Sequence, residues 1–117
     1  MSYSFQALVQ ERRSSNFLNL RTISKINQFD IVYQPLIEDF KNKVRYTKSG
    51  ELVINMDFLN KERARTLFGL FKFLQTEQRL GAVLKITWEV PLSNILMLET
   101  AMDFAELYEL QVTISID

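Results

Sequence analysis

Between Leu52 and Leu74 the apolar residues change their period, and that change restricts the chain to few folds. Leu52, Ile54, Met56 and Phe58 alternate, as they do along a half-buried strand. From Ala64 onward the apolar positions are Ala64, Leu67, Phe68, Phe71 and Leu74, which is helical spacing. Asn60 stands at the switch, where its side-chain oxygen can accept one of the unpaired backbone N–H groups of a first helical turn. Such a turn carries partial positive charge and favours an anion or a phosphate. The corner Phe58-Leu59-Asn60-Lys61-Glu62-Arg63 is therefore the first place to look for a functional site.

The rest of the chain repeats this alternation. Phe5 to Gln10 reads as a strand, Glu11 to Asn16 as a polar turn and Phe17 to Ile23 as a second strand, which together predict a hairpin. A helix follows from about Phe29 to Asn42 on Val32, Leu36 and Phe40, with an irregular first half expected at Pro35, which cannot donate to the helix ladder. Thr47 to Gly50 reads as a loop, Glu51 to Leu59 as a strand, and Lys61 to Leu80 as a helix ended by Gly81. Ala82 to Glu89 is a strand with Leu84, Ile86 and Trp88 on one side, so Trp88 belongs to the core. Pro91 to Asn94 is a turn, a last helix runs to about Leu110, and Val112, Ile114 and Ile116 alternate in a final strand. The order ββαβαβαβ argues for an α/β fold with parallel pairs and right-handed crossovers. The strands are only half apolar: Asn55 and Asp57 alternate with Ile54 and Phe58, and Thr113 and Ser115 with Val112 and Ile114. A sheet covered on both faces would read as continuous Val, Ile and Leu. The expectation is a two-layer, α+β-like single domain over residues 1–117, with three helices mainly on one face of a mixed sheet.

Composition narrows the chemistry. With 117 residues, 47% of them apolar, the chain can bury one core. It has no Cys and no His, which removes disulfides, thiolate catalysis, the commonest metal ligands and the commonest general base. Three scattered glycines build no phosphate loop. Asp103, Glu106 and Glu109 have helical spacing but read as an exposed acidic face rather than an acid–base pair. No catalytic residue, metal site or cofactor is expected, and the chain is not expected to be an enzyme. The N-terminus lacks the basic and apolar regions of a secretory signal, and no apolar stretch is long enough to span a bilayer. A cytoplasmic protein without a membrane partner is the expectation. Charge is uneven: all 14 Lys and Arg lie at or before Lys85, with eight of the 14 acids, so residues 1–85 carry +6 and residues 86–117 carry −6. Opposite ends of one fold can attract each other, steer a charged partner or orient two copies. The basic residues are scattered, and no nucleic acid is expected as a partner. Arg63, Arg65, Lys72 and Arg79 lie off the apolar stripe of their helix, which reads as a solvated face, with Arg63 and Arg65 near enough to the corner to pair with an acidic partner.

Several segments together resemble a known family. Ile86-Thr87-Trp88-Glu89, followed by Glu99-Thr100-Ala101-Met102-Asp103-Phe104-Ala105-Glu106-Leu107, is similar to a strand ending in Trp and a later Glu-x-x-x-Asp-Phe-Ala-Glu-Leu helix of the SiaC family of bacterial regulatory phosphoproteins. Tyr33-Gln34-Pro35-Leu36-Ile37-Glu38 resembles that family's first helix with its internal Pro, and Phe58-Leu59-Asn60 the aromatic-Leu-Asn that ends its middle strand. The resemblance covers about residues 17–117, and the family's domain is itself similar to the STAS domains of anti-sigma-factor antagonists. It implies a non-enzymatic switch: a Thr or Ser just after the Asn is phosphorylated under the control of a kinase and a phosphatase, and this state governs binding to a partner such as a diguanylate cyclase. A phosphate there would place about two negative charges at a helix N-terminus.

Two departures from the family pattern stand out. Its Thr-Ser-Ser run is matched here by Lys61-Glu62-Arg63, so Lys61 occupies the phosphoacceptor-equivalent position without a hydroxyl. The nearest hydroxyl, Thr66, lies more than a turn into the helix, and Glu62, an ordinary first-turn acid, is flanked by Lys61 and Arg63. Before the last helix, where the family is rich in acids, this chain has Val90-Pro91-Leu92-Ser93-Asn94-Ile95-Leu96-Met97-Leu98. Ile95, Leu98 and Met102 lie on one side of that helix and Met97, Ala101 and Phe104 on another, so one side should be core and the other a contact surface or a tighter local core. The expectation is a signalling adaptor whose partner-binding residues are Asn60, Lys61, Glu62, Arg63 and Arg65, with a kinase, phosphatase or diguanylate cyclase-like protein as partner and no phosphorylation at the family position. The alternative is a structural protein that forms a homodimer through the apolar 90–98 segment.

Overall fold

The computed structural model describes residues 16–21 and 29–117. Its strands are β1 (Phe17–Arg21), β2 (Ser49–Asn55), β3 (Val83–Val90) and β4 (Val112–Ile116). Its helices are α1 (Phe29–Thr47), α2 (Lys61–Arg79) and α3 (Ile95–Tyr108), one between each successive pair of strands. The sheet order is β1-β2-β3-β4, and all three neighbouring pairs are parallel. The antiparallel partner that would make the sheet mixed, Phe5 to Gln10, lies outside the described residues, as do Thr22 and Ile23 at the end of the expected second strand.

Register turns the alternating pattern into a core. Leu20, Ile54, Trp88 and Ile114 stand side by side across the four strands, and Leu18, Leu52, Ile86 and Val112 form a second row on the same face. The opposite face carries polar neighbours such as Thr87 beside Thr113, and Asn55 donates from Nδ2 to Glu89 Oε1 at 2.9 Å. Three crossovers in the same direction across a parallel sheet, right-handed as such connections almost always are, put every helix on one face, and buried residues of all three helices share one core with the apolar rows. The helices therefore cover the apolar rows, and among the described residues no helix lies on the polar face.

Packing between layers is set by a few close contacts. At Gly50 a Cβ would stand 2.7 Å from Val44 Cγ2 and 3.1 Å from Phe40 Cζ, so the missing side chain is what lets α1 lie against β2. Trp88 is fully buried, with Phe104 at 5.5 Å and Phe71 at 6.0 Å between ring centroids, an aromatic centre under α2 and α3. Phe73 of α2 lies beneath Arg45 and Lys41 of α1, at 4.9 and 5.7 Å from its centroid.

Element boundaries moved by more than two residues in two elements. α1 runs five residues beyond its expected end and passes Pro35 as one continuous helix; Pro35 is exposed, so water can reach the carbonyl its ring leaves unserved. β2 starts at Ser49, because Lys48 takes a positive φ of 59° that turns the chain directly from helix into strand, and it ends at Asn55, before the chain bends at Asp57. Lys48 then reaches the nearly buried Glu77 of α2, Nζ to Oε1 3.0 Å, a link that no local pattern announced. Gly81 has φ 99° just past α2, as its helix-ending position requires.

Candidate functional site

The corner between β2 and α2 forms as its residue types dictate. Met56 is buried as the last core residue, and Asp57 to Leu59 then carry the chain over the end of the sheet. Asn60 adopts an extended conformation (φ −87°, ψ 179°) and its Oδ1 accepts from the Arg63 N–H at 2.8 Å, while its carbonyl accepts from Ala64 N at 2.9 Å. Capping serves the third N–H of the helix. The N–H groups of Lys61 and Glu62 have no partner in the helical ladder, and they point out of its start. The side chains of Lys61, Glu62 and Arg65 are exposed, and Asn60 is half-buried.

Arg63 departs from the expected solvated face. Its side chain turns inward and is 0% exposed. The guanidinium carbon stands 4.8 Å from the Phe58 ring centroid and 5.5 Å from that of Phe29, so two aromatic faces replace water around the cation. Nη1 donates to the Phe58 carbonyl at 3.2 Å and lies 3.6 Å from Asp57 Oδ1. Nε and Nη2 have no hydrogen-bond partner. Arg63 thus clamps the corner from below and presents no charged group to a partner. Position 63 precedes buried Leu67, Leu70 and Leu74 at helical spacing, but its contact with Phe29 comes from 34 positions away and left no local signal in the sequence.

A second helix start meets the first. Asn94 caps α3, its Oδ1 accepting from Met97 N at 3.1 Å, and its Nδ2 donates to the Asp57 carbonyl at 2.9 Å. The two capped helix starts are therefore tied side by side. Between them lies a shallow cleft of about 200 Å³ lined by Asp57, Phe58, Leu59, Asn94, Leu96, Met97 and Thr100. Sequence reasoning found Asn60 but not the role of Asn94, whose hydrogen bond spans 37 residues of chain. Thr66 is half-buried on the α1 side of α2, away from this cleft. On α3, Met97, Ala101 and Phe104 form the core side, whereas Ile95, Leu96 and Met102 are exposed, as is Leu92 before the helix. Asp103 and Glu106 are exposed on the same helix. Among the described residues no cluster of acids could hold a metal ion, and no helix is long and apolar enough to cross a membrane.

A family model described as SiaC family regulatory phosphoprotein matches residues 3–116, nearly the whole chain. No curated protein and no solved structure matches it. The chain belongs to the SiaC family of regulatory phosphoproteins, which gives it a regulatory role in signalling.

Proposed function

From that membership we propose that this chain is a non-enzymatic adaptor that binds a signalling protein in the cytoplasm through the start of α2 and is not switched by phosphorylation at the family position. The observation that carries the reading is Lys61: it is the first residue of a capped helix, it is exposed, and it has no hydroxyl. A partner meets Asn60, Lys61, Glu62 and Arg65 on the surface, with Arg63 holding the corner rigid beneath them. The family resemblance makes that partner a kinase, a phosphatase or a diguanylate cyclase-like protein. A permanent Lys61 beside the positive end of the helix keeps this surface cationic, where a phosphorylated member would alternate between neutral and doubly negative. The partner's docking surface is accordingly acidic.

Two measurements test this. Incubation with the family kinases encoded in the same genome, followed by mass spectrometry, is expected to leave residues 57–66 unmodified; a phosphate on Thr66 would remove the claim that switching is lost. Lys61→Glu with Arg65→Glu is expected to weaken capture of the partner from the native cell at least roughly tenfold. Unchanged capture takes the corner out of the binding surface.

A further inference from the structure

The outward side of α2 and α3 carries a second pattern. On α2 the residues turned toward α3 recur at spacings of four and three: Lys61, Arg65, Phe68, Lys72, Gln75 and Arg79. On α3 the residues turned toward α2 are Leu96, Thr100, Asp103 and Leu107, with Glu99 and Glu106 beside them. Phe68 stacks its inner face on Phe104 at 4.9 Å, yet the residue stays 44% exposed, and Leu96 and Leu107 are 75% and 62% exposed. The surface is thus an apolar line with a basic flank on α2 and an acidic flank on α3. Among the described residues the flanks join only at their far end, where Arg79 meets Glu109 at 3.1 Å. Among the described residues Arg65 and Lys72 have no ion-pair partner, nor do Glu99, Asp103 and Glu106.

We propose that this α2–α3 face docks on the same face of a second copy of the chain. α2 and α3 follow parallel strands and run side by side in the same direction. A two-fold axis lying between them and parallel to both sets α2 of each molecule over α3 of the other. Every basic residue then faces the acidic flank, and the line of Phe68, Leu96 and Leu107 meets itself on the axis. An axis across the helices would set base on base and acid on acid, so charge selects one arrangement. The whole chain has no net charge, so two copies approach without long-range repulsion. This pairing does not depend on the partner assigned above, although it covers Arg65 and so excludes capture at the corner while it lasts.

Sedimentation velocity of the full chain at about 1 to 100 µM is expected to show a dimer that weakens between about 50 mM and 1 M salt. Arg65→Glu with Lys72→Glu, and separately Glu99→Lys with Asp103→Lys, should each raise the dissociation constant roughly tenfold or more, and mixing the two variants should restore a mixed dimer. All four positions are exposed, and circular dichroism checks that each variant folds. Should one not fold, the salt series and Leu96→Asp on the otherwise unaltered chain carry the test. A monomer throughout the concentration range overturns the proposal. So does a dimer indifferent to salt and to Leu96→Asp, or a pair of charge-reversed variants that do not associate; capture of an unrelated charged protein on this face without self-association assigns the surface elsewhere.

Discussion

Arg63 offers the sharpest test of how the corner is held. Replacement by Met keeps most of the volume between the Phe29 and Phe58 rings but removes the charge. The hydrogen bond to the Phe58 carbonyl at 3.2 Å is lost, about 2 kcal/mol for a charged donor in a buried place. The two cation–ring contacts are lost as well, together about 1 to 2 kcal/mol. The contact with Asp57 adds less than about 0.5 kcal/mol, because that carboxylate is 60% exposed. Against these stands the relief of two buried nitrogens without partners, about 1 to 3 kcal/mol each. The terms nearly cancel, and Arg63→Met is expected to stay within about 1.5 kcal/mol of the parent protein. Arg63→Ala removes the packing too and is expected to fall about 3 kcal/mol below the Met variant. Chemical denaturation with unchanged slopes measures both. If Met proves as damaging as Ala, the guanidinium makes polar contacts that outweigh its desolvation, and the reasoning fails.

Other positions give simpler expectations. Asn60→Ala should lose the cap of α2 and about 1 kcal/mol, and Asn60→Asp should keep it, as read by urea midpoints. Asn94→Ala removes both a cap and the tie to the Asp57 carbonyl, so a loss of about 2 kcal/mol is expected, with faster hydrogen exchange at the starts of both α2 and α3. Gly50→Ala forces a methyl against Val44 and Phe40 and should cost about 1 to 3 kcal/mol; a neutral result in a melting curve would mean that α1 can shift freely on the sheet.

What the sequence disclosed depended on the range of the interaction. The period change at Asn60 placed the start of α2 to the residue, because an N-cap is a local contest between side chain and backbone. Gly81 marked the other end for the same reason. The half-polar strands correctly implied one face covered by helices; on α3, Met97, Ala101 and Phe104 are core and Ile95 and Met102 exposed, but Leu98, expected on their side, is half-buried against the core. The run Val32, Leu36, Phe40 misplaced the buried side of α1: Val32 and Leu36 are exposed, the buried stripe is Phe29, Tyr33, Ile37, Phe40 and Val44, and the polar residues around Val44 concealed the last turn. Distant contacts were not legible. Arg63 is a charged residue whose burial depends on Phe29, 34 positions away, and Lys48 with Glu77 or Asn94 with Asp57 become neighbours only when the sheet closes. The candidate corner was therefore found by local chemistry, while the members that brace it were not.

Because the described strands lie in the sheet in the order in which they occur in the chain, assembly can be cumulative. During synthesis each new strand emerges beside an edge already present and need not wedge itself between two earlier ones. Each helix has only to fold back over the seam just made. α3 and β4 emerge after the other described elements, and Asn94 at the start of α3 completes the rim, so the candidate corner is closed only once α3 has packed beside α2.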